Sequence, residues 1–272
     1  MKVTKVIAKE GGQLSALLSS ASKLPTDKIA EACDKGAVWL QKGGKGKILR
    51  QRNASMEMRP GDVITLYYDP KVLAYPAIKT AECLEETKHY GIWFKKAGVV
   101  TQGTQAGDHT SLFRYVELKS KKETFLVHRL DRETEGLMVI AYTSEGAAKL
   151  SKLFQDNKIK KTYEAIVLGT LTPGKKETIT ASLDDKEAVT HFEVLDSNER
   201  VSLLKVQIET GRLHQIRRHL DFIGYPVMGD PKYGKGNKNR EGLKLLASSL
   251  SFFDPWERKE KSWTASSHLE LK

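Results

Sequence analysis

The sequence predicts an α+β protein, in which β-prone runs and amphipathic helices follow one another over 272 residues. Three observations support this class. Short apolar, β-prone runs recur along the chain, residues 144–156 have helical periodicity, and residues 204–209 alternate as a half-buried strand does. The length is enough for one large domain, or for a large domain with a small one beside it.

The first 70 residues are predicted to form a small domain of their own. Residues 13–22 and 26–35 have the pattern of two short helices, and strands are expected over 37–40 and 63–68. A basic, glycine-rich loop separates the two strands. These elements resemble the small αL-type module of a ribosomal small-subunit protein, which is appended to many RNA-modifying enzymes, although the module's usual opening arginine pattern is missing. The resemblance implies an RNA-binding domain.

The basic loop contains Gly43-Gly44-Lys45-Gly46-Lys47, which has some likeness to a phosphate-binding loop for nucleotides. Such a loop needs Ser or Thr after its Lys to hold magnesium, whereas Ile48 follows Lys47 in this chain. We therefore expect no nucleotide cofactor. A flexible basic hairpin that contacts RNA backbone, or a solvated turn, fits this loop better.

Residues 71–87 are predicted to be a linker, and residues 88–272 a second, larger domain. The elements predicted for this domain are, in chain order, strands over 90–94, 124–127 and 136–141, a helix over 144–156, strands over 158–168 and 204–209, and a helix beginning after Thr210. The sequence contains no evident internal repeat or low-complexity tract.

The composition is strongly basic, with 45 Lys and Arg against 34 Asp and Glu, a net charge of +11 and a pI of about 9.4. This excess indicates a polyanionic partner, either nucleic acid or an anionic membrane surface, although a merely basic enzyme would look the same. No apolar run approaches the roughly 20 residues that span a bilayer. The opening MKVTKVIAKE lacks the apolar core of a secretory signal, so we expect a cytoplasmic protein without a membrane partner.

The segment HRLDRETEG, residues 128–136, places Asp131 between Arg129 and Arg132. Positive charge favours the ionised form of a carboxyl group, so Asp131 is predicted to be an anionic nucleophile or base at neutral pH. An ordinary surface ion pair is the alternative. A loop held between two buried strands is a frequent place for catalytic residues, which favours the chemical interpretation.

The segment TGRLHQIRRH, residues 210–219, is a second cluster of cations. Thr210 is predicted to cap a helix whose first turns carry Arg212, His214 and Arg217. Free backbone N–H groups at a helix start attract anions, whereas cations there oppose the helix dipole. A site for phosphate or carboxylate groups is therefore favoured over a purely structural role.

Histidines at positions 128, 214 and 219 raise the alternative of a metal site. Arginine and lysine side chains surround them, and local positive charge disfavours a divalent cation. No carboxylate or thiolate cluster completes a ligand set, so no metal is predicted.

Four segments in a fixed order carry a family resemblance: HRLD with Thr134 and Gly136, Lys161-Thr162-Tyr163, TGRLHQIRRH, and GYPVMGDPKYG at 224–234. Together they resemble the RluA-type pseudouridine synthase family over roughly residues 88–272. The resemblance implies a mixed, largely antiparallel sheet with flanking helices and an active site in a basic cleft. It also implies structured ribosomal or transfer RNA as the partner and no cofactor. We expect a monomer.

The resemblance also implies roles for individual residues. Asp131 matches the catalytic aspartate, which acts at the ribose as a nucleophile on the anomeric carbon or as a base on its neighbour. Tyr163 matches the tyrosine near the uracil that helps to remove the proton from the ring carbon, and Arg217 the arginine that pairs with the aspartate. Arg129 matches the arginine that fills the space left by the extruded nucleotide. The remaining residues predicted to bind RNA are His128, Arg132, Lys160, Lys161, Arg212, His214 and Gln215.

The chain departs from the family pattern at several positions. Glu135 replaces a common Ser, Lys96 a common Pro and Arg218 a small apolar residue, while Leu246-Ala247 stands where His is common. Glu135 adds a carboxylate that is expected to raise the pKa of Asp131 unless a cation offsets it.

Two other functions fit parts of the sequence. One is a catalytically silent RNA-binding or ribosome-assembly factor on the same scaffold, which the retained Asp131, Tyr163 and Arg217 disfavour. The other is a nucleoside or glycoside hydrolase with paired carboxylates. Glu133 and Glu135 have no clear reason to face Asp131 across a sugar, so the hydrolase ranks last.

Overall fold

The computed structural model describes residues 1–271 and divides into two compact units. Unit 1 contains residues 1–80 and 102–121, and unit 2 contains residues 81–101 and those from 122 onward.

Strands outnumber helices among residues 1–271. The first 80 residues form β1 (Lys2–Ile7), β2 (Gly12–Gln13), α1 (Leu14–Ser22), α2 (Thr26–Asp34), β3 (Val38–Gln41), β4 (Ile48–Arg50), β5 (Glu57–Met58), β6 (Val63–Tyr68) and α3 (Pro70–Ala74). The chain continues with β7 (Glu82–Glu86), β8 (Tyr90–Lys95), α4 (Leu112–Ser120), β9 (Glu135–Ala141), α5 (Ser144–Gln155), β10 (Lys160–Leu168), β11 (Lys176–Thr180), β12 (Val189–Ser197), β13 (Val201–Ile208), α6 (Gln215–Phe222), β14 (Leu245–Asp254) and β15 (Lys259–Thr264).

Unit 1 is built on a four-stranded antiparallel sheet in the order β1-β6-β3-β4, with β2 and β5 as a separate pair. Leu14 and Leu18 of α1 lie one turn apart and therefore on one face of the helix, where both are fully buried. Ile29 of α2 and Leu66 of β6 belong to the same core. The predicted helices and the strands near 38 and 63 are confirmed.

Residues 102–121 belong to unit 1 because polar contacts tie them to its loops. The Asp108 carboxylate accepts a hydrogen bond from Arg52 Nη2 at 2.6 Å and pairs with Arg50 Nε at 3.1 Å. Trp39 Nε1 donates to the carbonyl oxygen of Gln105 at 2.9 Å. This grouping differs from the predicted limits of 1–70, 71–87 and 88–272. The sequence gives no local signal for this grouping, because the residues that form these contacts lie 56 or more positions apart along the chain.

Unit 2 contains a nine-stranded sheet within the described residues, in the order β11-β12-β13-β10-β14-β9-β8-β7, with β15 paired to β14. All neighbours are antiparallel except β9 and β14, which run parallel. Leu150 of α5 is fully buried in a core with Tyr90, Val139 and Leu246. The predicted α+β class, with a mixed, largely antiparallel sheet and flanking helices, is confirmed.

Gly136 shows why the loop that carries Asp131 ends in glycine. The parallel pairing of β9 with β14 sets Glu135 opposite Leu246 and Gly136 opposite Ala247. The φ of Gly136 is +120°, and a Cβ atom there would collide with the carbonyl oxygen of Ala247. Only glycine lets the two strands meet at this point.

The predicted strand over 124–127 is wrong. Only Phe125 makes a ladder contact, an isolated bridge to Ala141. Phe125 and Val127 pack instead against the core that includes β8, β9 and α5. Their apolar character reflects burial without strand pairing, a distinction that a short apolar run does not reveal. Within residues 1–271, every helix is too short or too polar to cross a bilayer.

Candidate active site

A cavity of about 450 Å³ opens in unit 2. It is bounded by the loop before β9, the junction of α5 and β10, the end of β13 with the turn that follows it, and Leu245 of β14. Asp131, Tyr163 and Arg217, which are widely separated in sequence, all line it. The long-range pairing of β10 with both β13 and β14 is what brings these segments together.

Asp131 is held by Arg217. Arg217 Nη1 donates to Asp131 Oδ2 at 3.0 Å. Arg217 is only 2% exposed, and its Nε and Nη2 atoms donate to the two oxygens of Asp230 at 2.6 and 2.8 Å. Burial alone would lower the pKa of Arg217, but its hydrogen bonds to Asp230 and Asp131 raise it above the ordinary value. A permanent cation therefore stands behind the carboxylate of Asp131.

The sequence had suggested Arg129 and Arg132 as the cations beside Asp131. The structure instead supplies Arg217, 86 residues further along the chain. Arg132 Nε donates to the carbonyl oxygen of Gly98 at 3.3 Å, and Arg129 lines the cavity. Arg217 is the arginine that the family resemblance paired with Asp131.

Hydrogen bonds hold the backbone on both sides of Asp131 in place. Thr101 Oγ1 donates to the carbonyl oxygen of Leu130 at 2.7 Å and accepts from its N–H at 3.2 Å. The carbonyl oxygen of Arg132 accepts from the N–H of Gly98 at 2.8 Å and from Lys95 Nζ at 3.3 Å. These bonds fix the direction in which the Asp131 side chain leaves the loop.

Lys95 is a fully buried lysine behind this loop. Its Nζ also donates to the carbonyl oxygens of Val99 at 2.8 Å and Lys96 at 3.3 Å. Burial lowers the pKa of Lys95 to about 8, against the opposing pull of the Asp131, Glu133 and Glu135 carboxylates. The charge of Lys95 thus offsets the negative charge that Glu135 adds to this loop, which the sequence alone did not reveal.

His128 has a structural role that differs from the predicted RNA contact. Its Nε2 accepts a hydrogen bond from the N–H of Val139 at 3.0 Å, and its ring stacks on Phe154 with centroids 4.6 Å apart. Burial, reinforced by Lys161, lowers the pKa of His128 to about 3. The ring is therefore neutral at physiological pH and offers no positive charge to a phosphate.

The turn before α6 also differs from expectation. Helix α6 begins at Gln215, so Thr210 is not its N-cap and Arg212 and His214 precede the helix. Gln215 Oε1 accepts from Thr210 Oγ1 at 2.7 Å and from the N–H of Arg212 at 3.0 Å. Its Nε2 donates to Val189 O at 2.9 Å and to a threonine hydroxyl at 3.0 Å. Gln215 holds the turn and has no hydrogen-bonding group left for RNA.

His214 is brought to the catalytic cluster. It adopts a left-handed backbone conformation with φ of +52°, and its Nε2 lies 3.7 Å from Asp131 Oδ2. Its Nδ1 is 3.0 Å from the hydroxyl of Tyr233. Burial lowers the pKa of His214, although Asp131 acts in the opposite direction. A neutral imidazole beside the carboxylate follows at neutral pH.

Asp230 and Tyr233 were missed as site residues, as were Lys95 and Thr101. Asp230 and Tyr233 lie in the GYPVMGDPKYG segment, so a signal existed, but no chemistry was assigned to it. Asp230 is 1% exposed and carries a charge, which is rare unless the charge is paired. Its role became visible only through its bonds to Arg217.

The other side of the cavity makes few polar contacts. Tyr163 is 7% exposed, and its hydroxyl has no hydrogen-bond partner among residues 1–271. Burial and then the Asp131 carboxylate raise the pKa of Tyr163. Lys161 lies with its Nζ 5.7 Å from the Phe154 ring centroid, and burial lowers its pKa. Leu213 lines the cavity while 56% exposed.

Two other predicted RNA contacts occupy different settings. Lys160 begins β10 and is exposed, but it does not line the cavity. Arg212 does line it, and its Nε donates to the carbonyl oxygen of Glu187 at 3.0 Å, which leaves its terminal nitrogens for another acceptor.

Comparison with known proteins decides the family. A family model described as RNA pseudouridylate synthase matches residues 89–222. The ribosomal large subunit pseudouridine synthase D of Buchnera aphidicola subsp. Schizaphis graminum (strain Sg) is 30% identical over 262 residues, which cover 81% of this chain and 82% of that protein. The chain belongs to the RNA pseudouridine synthase family, RluA type. It is accordingly an isomerase that acts on RNA.

Other relatives agree with this placement. The ribosomal large subunit pseudouridine synthase D of Pseudomonas aeruginosa is 35% identical over 170 residues, 56% of this chain and 53% of that protein. Human RNA pseudouridylate synthase domain containing 1 superposes with a TM-score of 0.60 at 20% identity, over 69% of this chain and 84% of that one. That structure supports the shared fold of this family.

Proposed function

We propose that this synthase converts uridine in ribosomal RNA to pseudouridine with Asp131 as its catalytic residue. The observation that carries the proposal is the 3.0 Å contact between Asp131 Oδ2 and the buried Arg217 guanidinium inside a cavity of about 450 Å³. A neighbouring cation favours the ionised form of a carboxylate, and the hydrogen bonds that hold the loop around Asp131 fix the orientation of its side chain.

The reaction conserves atoms and needs no external oxidant or energy source. The C1′–N1 bond breaks, the C1′–C5 bond forms, C5 loses a proton and N1 gains one. Asp131 would attack C1′ as a nucleophile or take a proton from C2′ as a base, and both routes require the ionised carboxylate. Arg217 balances the negative charge of Asp131 before the reaction, and in either route that charge passes to the uracil as the C1′–N1 bond breaks.

Tyr163 would act as a neutral phenol. Its raised pKa rules out a preformed phenolate at neutral pH, but its hydroxyl makes no hydrogen bond among the described residues and can donate to a uracil oxygen. Tyr163 would assist removal of the C5 proton only through a relay, in which its oxygen takes the C5 proton as its own hydroxyl proton passes to water, and N1 of the uracil takes a proton from water.

Arg129, Lys161 and Arg212 would contact the RNA around the target nucleotide, since each lines the cavity with a cationic group. Arg129 would occupy the space that the extruded nucleotide leaves. Residues 1–70 would serve as an αL-type RNA-binding module, supported by the basic loop of Lys42, Lys45 and Lys47. We expect the enzyme to work as a cytoplasmic monomer. Ribosomal RNA is favoured over transfer RNA by the names of the relatives.

The test compares the wild-type protein with Asp131→Asn and a matched control, Asp196→Asn, which changes an exposed carboxylate on β12. Each protein is incubated with ribosomal RNA and transfer RNA from cells that lack it. Pseudouridine is mapped by carbodiimide modification and primer extension, and released uracil is measured by chromatography. We expect the wild-type and Asp196→Asn proteins to add the same ribosomal sites, and Asp131→Asn to add none.

Each other outcome selects a different function. New sites in transfer RNA alone would replace the ribosomal substrate. Binding of RNA without new pseudouridine in the wild-type protein would favour a silent RNA-binding factor. Release of uracil would favour the hydrolase, for which Glu133, whose carboxylate lies 3.9 Å from Arg217 Nη1, is the candidate second carboxylate. Full activity in Asp131→Asn would remove Asp131 from catalysis.

A further inference from the structure

The two oxygens of Asp131 have different surroundings. Oδ2 accepts from Arg217 Nη1 at 3.0 Å, and the Nε2 of His214 lies 3.7 Å from the same atom. Oδ1 makes no hydrogen bond among residues 1–271. One oxygen is thus surrounded by nitrogen groups, and the other is left for a ligand in the cavity.

The proton position on His214 follows from its neighbours. An ionised carboxylate only accepts hydrogen bonds, so an Nε2 without a proton would direct its lone pair at the lone pairs of Oδ2. Burial disfavours the doubly protonated ring. A single proton on Nε2 satisfies both conditions, and Nδ1 must then accept from the Tyr233 hydroxyl at 3.0 Å.

Tyr233 is held in place to make this bond. The N–H groups of Lys232 and Tyr233 donate to Asp230 Oδ1 at 2.8 and 3.1 Å. Asp230 is the same carboxylate that binds Arg217, so one buried group orients both Arg217 and the turn that carries Tyr233. The rings of Tyr233 and His214 meet edge to face with centroids 5.7 Å apart.

We propose that Tyr233 is a positioning residue that fixes His214 as the Nε2–H tautomer, so that Arg217 and His214 both face Asp131 Oδ2 and Oδ1 is the oxygen that reacts with the ribose. This inference rests on the proposed catalytic role of Asp131. The 3.7 Å separation of His214 Nε2 and Oδ2 is longer than a hydrogen bond, and the proposed arrangement requires it to shorten when RNA binds and excludes water from the cavity.

The direct test is nitrogen-15 NMR of the histidine rings in the full chain, with the His214 signals assigned by their loss in His214→Gln. At pH 7.5 we expect the wild-type protein to show a protonated Nε2 and an unprotonated Nδ1. Tyr233→Phe removes the hydroxyl that fixes the proton, so the His214 signals should shift toward a mixture of both tautomers. Groups that also face His214 and stay unchanged are Asp131, Arg217, Asp230 and Lys232.

The second measurement is kinetic. Tyr233→Phe should lower kcat on the order of tenfold while KM changes less than about twofold, because positioning and not RNA affinity is altered. The control is Tyr225→Phe on the same segment, whose hydroxyl makes no hydrogen bond among residues 1–271 and does not line the cavity. Tyr225→Phe should keep both the wild-type kcat and the wild-type His214 signals.

The two results separate this inference from the proposed function. A wild-type His214 with its proton on Nδ1, or a Tyr233→Phe protein with unchanged tautomer signals and unchanged kcat, would overturn the role of Tyr233 even if Asp131→Asn is inactive. A wild-type protein without pseudouridine activity would overturn the proposed function, while the NMR experiment would still decide the tautomer.

Discussion

The two walls of the active-site cavity are built in opposite ways. The bonded wall presents Asp131, His214 and Arg217 to the cavity and includes Asp230 and Tyr233, which hold them without lining the cavity; contacts of 3.7 Å or less join each of these residues to the next. The open wall, formed by Arg129, Lys161, Tyr163 and Leu213, has no side-chain hydrogen bond or ion pair within residues 1–271.

This difference separates two tasks of an enzyme. Preorganised groups whose hydrogen bonds are already made can hold one carboxylate in a fixed place without reorganising during the reaction. Groups with unused donors and exposed apolar surface can form new contacts with a ligand. We therefore expect the bonded wall to govern stability and the placement of Asp131, and the open wall to govern contacts with RNA, with Tyr163 beside the uracil.

The largest expected effect is that of Asp230→Asn on the bonded wall. The substitution keeps the shape but leaves the buried Arg217 with one carboxylate fewer, and breaking a buried pair in this way typically destabilises a protein by about 3–5 kcal/mol. Activity should fall by about a hundredfold or more, because a misplaced Arg217 releases Asp131. Urea unfolding and single-turnover kinetics measure the two effects.

The matched control for Asp230 is Asp184→Asn. Asp184 also receives two hydrogen bonds from one arginine, Arg218, at 2.8 and 3.1 Å, but its side chain is 66% exposed. Exposed ion pairs contribute about 0–1 kcal/mol, so stability and activity should hardly change. Equal losses in the two variants would contradict the division into a bonded and an open wall.

The next largest effect is expected on the open wall, from Lys161→Met compared with Lys160→Met. Lys161 lines the cavity, whereas the exposed Lys160 does not. We expect Lys161→Met to weaken RNA binding by about tenfold and to reduce the salt slope of the affinity by about one charge, with unfolding unchanged within about 0.5 kcal/mol. Filter binding at several salt concentrations makes the measurement.

Lys160→Met is the informative comparison for Lys161. An equal loss of affinity in both variants would show that the strand contacts RNA along its exposed face. The position of Lys161 in the cavity would then give it no greater part in RNA binding than that of Lys160. A loss of unfolding free energy in Lys161→Met would show that Lys161 contributes to stability, as the residues of the bonded wall do.

Local patterns in the sequence were sufficient for much of the fold. The helical pattern of residues 13–22 predicted α1, and the alternation of residues 204–209 predicted most of β13, because both patterns record which side of an element is buried. The run 124–127 was misassigned because burial and strand pairing give the same apolar pattern there.

The site was predictable where a motif marked it and not where its partners are distant. Asp131 and Arg217 were paired through the family resemblance, and the structure places them 3.0 Å apart. Gln215 and His128 were predicted to bind RNA, but the sequence does not say whether their hydrogen bonds are already made inside the protein. Lys95 and Thr101 act through the backbone of another segment, and no local pattern encodes that.

A smaller effect is expected when the support of the bonded wall is weakened by Thr101→Val. Valine has nearly the same shape but leaves the buried N–H and carbonyl oxygen of Leu130 unpaired, which should lower the free energy of unfolding by about 1–3 kcal/mol. Thr170→Val is the control, because its hydroxyl makes one exposed hydrogen bond to Asn198 O at 2.9 Å. Denaturant titration of both variants checks the difference, which should vanish if Leu130 is supported in another way.

The smallest expected effect concerns the pH dependence that buried Lys95 gives to stability. Its folded-state pKa of about 8 lies below the ordinary 10.5, so the unfolded chain binds more protons between these values. The stability contributed by this group is therefore present above pH 10.5 and lost as pH falls through 8. In Lys95→Met this dependence is absent, so the wild-type minus variant difference in unfolding free energy should rise from pH 7.5 to pH 9.5, by on the order of 1 kcal/mol.

The control is Lys96→Met, an exposed neighbour for which the difference in unfolding free energy should stay flat over the same pH range. A flat difference for Lys95 as well would mean that the Asp131, Glu133 and Glu135 carboxylates fully offset the effect of burial on its pKa. Lys95 would then support the bonded wall as an ordinary charged lysine paired with carboxylates.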